Sequence, residues 1–170
     1  MLTIGHSNRT IDEFISLLQP SSVELLVDVR KMPGSRHNPQ FSRDALAATL
    51  AAAGIDYLHM PGLGGLRRPR KDSINTAWQN DSFRGYADYM QTTEFAHNLA
   101  ELDQLGAART TAIMCAEAAP WRCHRSMIAD ALTARGVEVR HIMSREKATL
   151  HALREFAVVE DGRVTYPGLL

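Results

Sequence analysis

Short apolar runs alternate along the chain with segments whose apolar positions recur at helical spacing. The run VELLVDV at 23–29 lacks polar alternation and is rich in β-branched residues, which is typical of a strand buried on both faces of a sheet. Further strands are predicted at 2–5, 55–60, 110–116 and 137–143. Strands that alternate with helices predict a Rossmann-like three-layer α/β fold, with a mainly parallel sheet of about five strands and helices on both faces.

Helix start and stop signals lie between these strands. Thr10 and Glu13 form a capping-box pattern that opens the first helix. Ser42 is expected to cap a second helix that closes at Gly54. The remaining helices are predicted over 74–105 (interrupted near QTT, with Thr93 capping the second part), over 126–136, and from Ser144 to about Ala157.

The chain closes with a predicted hairpin. The segment VVEDGRVTY at 158–166 turns at Asp161-Gly162, a dipeptide that favours the tight turn whose twist matches that of paired strands. No internal repeat, low-complexity tract or linker interrupts the pattern. One domain over 1–170 is therefore expected.

Composition and charge narrow the class of protein without naming a function. Hydrophobic residues make up 45% and charged residues 22%, and the formal net charge is +0, so no global field draws the chain to nucleic acid or a membrane. The opening MLTIGHSNRT lacks the pattern of a signal peptide, and no apolar run has the length of a membrane span. With only two cysteines, a cytoplasmic setting is expected.

Titratable side chains follow the predicted strands at their carboxyl ends. Ligands of parallel α/β sheets bind beyond these ends, so the sequence predicts a site at this edge. Candidates for proton transfer or nucleophilic attack are His6, Asp28, Cys115, Glu117 and His124.

The segment MCAEAAPWRCHRSMIAD at 114–130 leads from a predicted strand through a loop to a helix N-terminus. The free amides and the helix dipole at such a terminus favour an anion, and Arg125 and Ser126 would add donors. In the simpler alternative, Ser126 only caps the helix, Arg125 is solvated, and the carboxylates Asp28 and Glu117 balance nearby arginines. Other expected contacts to an anion or substrate are Ser7, Arg30, Arg36, Gly64, Gly65 and Tyr86.

The two cysteines leave thiol chemistry open. Cys115 at a strand end is a candidate nucleophile, but its spacing to Arg122 is one residue longer than in the phosphate cradle of tyrosine phosphatases. A buried cysteine is also an ordinary small core residue. No CxxC or HxxxH spacing supports a metal, so the sequence assigns neither metal nor cofactor. A metal site would draw on Cys115, Cys123, His124, His6 or His141.

A basic, glycine-rich segment, GLGGLRRPRK at 62–71, supports a different function. Its arginines and lysine would contact phosphates of a nucleic acid, with a nearby aromatic side chain stacking on a base. Three hypotheses result: an enzyme that binds a phosphorylated or nucleotide-like substrate, a nucleic-acid-binding or repair accessory protein, and a thiol- or metal-based sensor. The first is favoured because polar loops gather at one edge of the predicted sheet.

Several motifs together resemble one protein family. TIGHS, LVDVRKMPGSRHNPQF, LGG, FRGYADYMQTTEF and MCAEAAPWRCHRSMIAD followed by HI are similar, in this order, to the family called domain of unknown function 488. The resemblance runs from residue 3 to about residue 142. It implies a compact α/β protein in a bacterial cytoplasm, and it carries over no residue role.

Overall fold

The computed structural model describes residues 1–169, which form five α-helices and eight strands. The helices are α1 (Ile11–Leu18), α2 (Arg43–Ala52), α3 (Asp81–Tyr89), α4 (Thr93–Ala108) and α5 (Arg125–Ala134). The strands are β1 (Leu2–Gly5), β2 (Leu25–Asp28), β3 (Asp56–His59), β4 (Thr111–Cys115), β5 (Arg140–His141), β6 (Thr149–Leu150), β7 (Val158–Glu160) and β8 (Arg163–Thr165).

The central sheet has six strands in the order β3-β2-β4-β1-β5-β6. Strands β1 to β5 run parallel, and β6 is antiparallel to β5. Strand β4 lies at the centre, where it pairs with both β1 and β2. The carboxyl ends of β1, β2 and β4 therefore lie side by side, and the predicted Rossmann-like α/β architecture is confirmed.

Two apolar layers separate the sheet from its helices. Leu25, Val27 and Ile113 point into a core formed with α3, α4 and α5. Leu26 and Met114, one position along the strands, point into a second core with α1 and α2. Because side chains alternate between the faces of a strand and both faces of the sheet are buried, its central strands are mostly apolar.

Local signals in the sequence correctly placed several element ends. The capping box of α1 is present, with Thr10 N donating to Glu13 Oε2 at 2.9 Å and Glu13 N donating to Thr10 Oγ1 at 3.2 Å. Gly54 adopts a φ of +76° after α2, which an L side chain rarely tolerates. The hairpin of β7 and β8 turns at Asp161 and Gly162, with φ of 49° and 74°.

The helix predicted from Ser144 to about Ala157 is wrong. This segment contains β6 and an extended stretch, because tertiary contacts override its helical propensity. The amide of His151 donates to Val139 O at 2.8 Å, and its Nε2 donates to the buried carboxylate of Asp130 at 2.7 Å. Arg154 Nη2 donates to Ser126 Oγ at 2.6 Å, which holds the stretch against α5.

The start of the helix predicted over 74–105 is also wrong. Residues 74–80 form turns, and α3 begins only after Asn80, whose side chain caps it. The turns are fixed by Asn75, which donates to Asp88 Oδ1 at 2.8 Å and accepts from the Tyr166 amide at 2.9 Å. The cap of α4 is Thr92 rather than Thr93.

A buried carboxylate joins the C-terminal hairpin to α5. Asp130, which is 0% exposed, accepts from His151 at one oxygen and from the Tyr166 hydroxyl at the other, at 2.7 Å each.

Among the described residues, no helix combines the length and apolar character that a bilayer span requires.

We expect Tyr166→Phe to lower the free energy of unfolding by about 1–3 kcal/mol, because it removes a donor from a buried carboxylate. Chemical denaturation followed by circular dichroism measures this loss. Val159→Ala, on the same hairpin but 40% exposed, is the control and should change stability by no more than about 0.5 kcal/mol. Equal losses in the two variants would contradict the role of the buried bond.

Candidate functional site

A buried ion pair fixes the carboxyl end of β2. Arg30 donates through Nε to Asp28 Oδ1 at 2.9 Å and through Nη2 to Asp28 Oδ2 at 2.7 Å. Tyr57 Oη donates to the same carboxylate at 2.6 Å, and the Phe41 carbonyl accepts a second Nη2 bond at 2.7 Å. Asp28 is thus fully engaged and 0% exposed, so the geometry favours a positioning role over proton transfer.

His6 completes the surroundings of Arg30. Its Nδ1 lies 2.7 Å from the Ser7 carbonyl, which can only accept, so Nδ1 carries the proton. Its Nε2 is then the acceptor for Arg30 Nη1 at 3.2 Å. Burial and the neighbouring Arg30 charge lower the pKa of His6 below its ordinary value, although its bond to Ser7 acts in the opposite direction. Four of the five guanidinium N–H groups of Arg30 are bound, and one on Nη1 has no partner within residues 1–169.

Two clefts open at this edge of the sheet and share part of their lining, including Arg30, Glu117 and Arg122. The first, the β1–β4 cleft, has a volume of about 520 Å³ and is lined by His6, Ser7, Arg30, Met32, Gly34, Ser35, Asn38, Ala116, Glu117, Ala118, Ala119 and Arg122. The second, the thiol cleft, has a volume of about 450 Å³ and is lined by Arg30, Lys31, Met32, Gly65, Leu66, Asn80, Ser82, Phe83, Tyr86, Cys115, Ala116, Glu117, Arg122, Cys123 and His124.

The structure brings most of the sequence-predicted site residues to these two clefts. Those that line the β1–β4 cleft are His6, Ser7, Arg30 and Glu117. Those that line the thiol cleft are Arg30, Gly65, Tyr86, Cys115, Glu117 and His124. Those that lie outside both linings are Asp28, Arg36, Gly64, Arg125 and Ser126.

Arg125 and Ser126 are committed to the protein itself. Arg125 is 1% exposed and donates through Nη2 to the carbonyls of Glu117 and Ala118, at 3.3 and 3.2 Å. Ser126 donates to the Cys123 carbonyl at 3.0 Å and lies inside α5 rather than capping it. Their direct contact with an anion stays a prediction, and this geometry favours a role in holding the loop.

The loop after β4 passes directly over the end of β1. A Cβ on Gly5 would lie 1.7 Å from the Glu117 carbonyl oxygen, so only glycine permits this approach. The amides of His6 and Ser7 donate to the Cys115 and Ala116 carbonyls, which holds the loop in place. Within residues 1–169, the amides of Glu117, Ala118 and Ala119 make no hydrogen bond, so they remain available to a ligand or to water.

Sequence reasoning did not name Arg122 as a candidate site residue. This exposed side chain lines both clefts and makes no hydrogen bond or ion pair within the described part of the chain. The available signal was its place in the loop that follows the central strand. Ser35 and Asn38, which add polar groups to the β1–β4 cleft, lie in a long loop whose path the sequence does not reveal.

His124 joins the thiol cleft to the end of β2. Its Nε2 donates to the Val29 carbonyl at 3.2 Å, which leaves Nδ1 as an acceptor 3.5 Å from Cys123 Sγ. Burial lowers the pKa of His124 to about 4, helped by the charges of Arg125 and Arg67. Within residues 1–169, no three His, Cys, Asp or Glu side chains are grouped as metal ligands.

These observations define a parallel α/β protein whose polar clefts lie at the carboxyl edge of its sheet. The family model described as "Domain of unknown function DUF488" matches residues 10–132. The chain belongs to this family, as its motifs had indicated. Neither the curated proteins nor the solved structures include a match to the chain.

The neutral state of His124 predicts a pH dependence of stability. The folded chain holds His124 unprotonated, whereas the unfolded chain takes up a proton below about pH 6.5. The free energy of unfolding should therefore fall as the pH drops from about 6.5 toward 4, by at most about 1.4 kcal/mol per pH unit from this group. Denaturant unfolding at several pH values measures the slope.

His124→Gln should reduce that slope, and the exposed His97→Gln is the control that should leave it unchanged. A slope that is identical in wild type and His124→Gln would contradict the assignment.

Proposed function

We propose that the chain is an enzyme that binds a phosphorylated or nucleotide-like small molecule in the β1–β4 cleft. The observation that carries the proposal is the state of Arg30, whose guanidinium lines the cleft with one N–H left over. Asp28, His6 and Phe41 hold this group rigidly, so a bound anion would meet a donor that is already oriented.

The opposite wall of the cleft supports the same class of ligand. Arg122 supplies an unpaired positive charge, and the loop at 117–119 supplies amide donors. Ser7 and Ser35 add hydroxyl groups. Cationic side chains and backbone amides that converge on one concave surface are the donors that bind phosphate.

Glu117 is the residue we propose for proton transfer. Its side chain is exposed, lines both clefts and forms no hydrogen bond or ion pair within residues 1–169. A carboxylate in this position can accept a proton from a substrate or an attacking water. Asp28, the other candidate carboxylate, is fully bound to Arg30 and Tyr57.

The alternative of nucleic-acid binding rests on the basic segment 62–71, and two of its charges are already engaged. The Arg67 guanidinium lies 3.6 Å from the centroid of the Tyr89 ring, and Arg70 forms an ion pair with Asp72 at 2.8 Å. Arg68 and Lys71 are exposed. Because two of its charges already have partners within the protein, the segment is less suited to phosphate contacts than its sequence suggested.

Isothermal titration with inorganic phosphate and nucleoside monophosphates tests the anion site. Arg122→Gln should weaken binding roughly 10- to 100-fold, because a hydrogen bond to a charged group contributes about 1.5–3 kcal/mol. Arg68→Gln changes the net charge equally at an exposed position outside both clefts, so it should bind like wild type.

An absence of binding by wild type, or equal weakening in both variants, would contradict the proposal. Binding of oligonucleotides that is lost in Arg68→Gln and falls steeply with salt would favour the nucleic-acid alternative.

Glu117→Gln separates binding from catalysis. The variant should bind the same phosphorylated compound as tightly as wild type, because the isosteric amide keeps the shape of the cleft. It should convert that compound at least about a hundredfold more slowly, since general acid–base catalysis contributes about 10²–10⁴-fold. Product formation followed by chromatography measures the rate, and an unimpaired variant would remove Glu117 from the mechanism.

A further inference from the structure

Arg125 carries a buried charge that no carboxylate balances. The residue is 1% exposed, and within residues 1–169 its guanidinium forms no ion pair. Nη2 donates to two carbonyls, but Nε and Nη1 are buried without a hydrogen-bond partner. Burying a cation without a countercharge is costly, so an anion is expected close to this group.

The thiol of Cys115 is in the place where that anion is needed. Cys115 Sγ donates to the Glu117 carbonyl at 3.6 Å, and Arg125 Nη2 donates to the same oxygen. This shared acceptor places sulfur and guanidinium beside each other. Burial raises the pKa of the Cys115 thiol, but the interaction with Cys123 and the Arg125 charge outweigh it, so the net direction is downward. Loss of the thiol proton would end the bond to the Glu117 carbonyl and leave a charge on Cys115 that balances Arg125.

A second thiol, that of Cys123, lines the same cleft and packs in the same apolar core as Cys115. Cys123 Sγ accepts from the Arg125 amide at 3.5 Å and lies 3.5 Å from Nδ1 of His124, the unprotonated ring nitrogen. The interaction with Cys115, together with burial, raises the pKa of the Cys123 thiol. The pair is therefore asymmetric, because the Cys115 thiol loses its proton more readily than the Cys123 thiol.

Both thiols border a cleft that has room for a small molecule. Cys115 and Cys123 are 2% and 6% exposed, yet both line the thiol cleft of about 450 Å³. A hydroperoxide is small enough to enter such a space. The cleft opens at the same edge of the sheet as the β1–β4 cleft.

We propose that Cys115 and Cys123 are a redox-active dithiol, which a hydroperoxide converts into an intramolecular disulfide. The Cys115 thiol loses its proton and attacks one peroxide oxygen, the O–O bond breaks, the departing hydroxide takes up that proton to give water, and Cys115 becomes a sulfenic acid. Cys123 then attacks the Cys115 sulfur and gives up its proton, forming the S–S bond and breaking the S–O bond. The proton joins the departing hydroxide. In sum, two thiols and one hydrogen peroxide give one disulfide and two waters.

A disulfide between Cys115 and Cys123 would restrain one wall of the β1–β4 cleft. The disulfide would join the end of β4 to the residue that precedes His124 and α5, closing the loop over 116–122 that forms one wall of that cleft. The redox state of the two cysteines would therefore determine how far this wall of the cleft can move. The chemistry of the dithiol does not depend on the proposed anion-binding function, and its test uses no phosphorylated ligand.

The test is oxidation of the full chain with hydrogen peroxide, followed by tryptic peptide mapping without reduction. Trypsin cleaves after Arg109, Arg122 and Arg125, so the two cysteines fall on the separate peptides 110–122 and 123–125. A disulfide holds these peptides together, and dithiothreitol releases them. We expect the linked pair in the oxidised protein, with the intact mass lowered by two hydrogens.

The chain has two cysteines, so each single substitution leaves one thiol to follow. In Cys123→Ser, Cys115 should form a sulfenic acid that dimedone traps. In Cys115→Ser, Cys123 should react at least about tenfold more slowly, because the burial that raises the pKa of its thiol remains when Cys115 is removed. Unchanged thiols in oxidised wild type, a disulfide only between two chains, or equal reactivity of the two single variants would overturn the proposal.

Discussion

The ion pair of Asp28 with Arg30 is the constraint on which the functional edge depends. Both charges lie in a place that water barely reaches, and an isolated charge there would be very unfavourable. Tyr57, His6 and the Phe41 carbonyl satisfy most of the remaining hydrogen-bonding capacity. The pair thereby ties the end of β2 to β1, to β3 and to the segment before α2, and it fixes the floor of both clefts.

Arg30 and Arg125 are both buried cations, but their guanidinium groups have different partners. Each guanidinium is almost fully buried close to the carboxyl end of the sheet. Arg30 is paired with a carboxylate, and all but one of its guanidinium N–H groups are bound within the protein. Arg125 has only backbone carbonyls as partners. One arginine therefore makes the site rigid, while the other is the group that activates Cys115 in the proposed dithiol.

The sequence predicted the layers of the fold well because their signals are local. The unbroken apolar run that contains β2, the capping box at Thr10 and the turn at Asp161-Gly162 each depend on neighbouring residues. The segment after Ser144 failed because its conformation depends on a distant partner, the buried Asp130 on α5. No periodicity within that segment reports such a contact.

The position of the candidate site was predictable from the sequence, but the role of each residue within it was not. Topology alone places His6, Arg30, Cys115 and Glu117 at one edge. Whether a charged side chain faces solvent or is consumed by the protein is decided by contacts between loops. For that reason Arg125, which was expected to contact an anion or solvent, is buried, whereas Arg122, three positions earlier, is exposed.

The placement of β1 also bears on how the chain acquires its fold. Leu2 pairs with Ala112 and Arg140, so β1 can join its neighbours only after those later residues have been synthesised. Contacts between such distant positions slow folding, because a long loop must close before they form. Until then β2 can pair with β3 but the sheet lacks its central strands. Strand β1 is therefore paired late in folding, and the partly synthesised chain is the form most prone to aggregation.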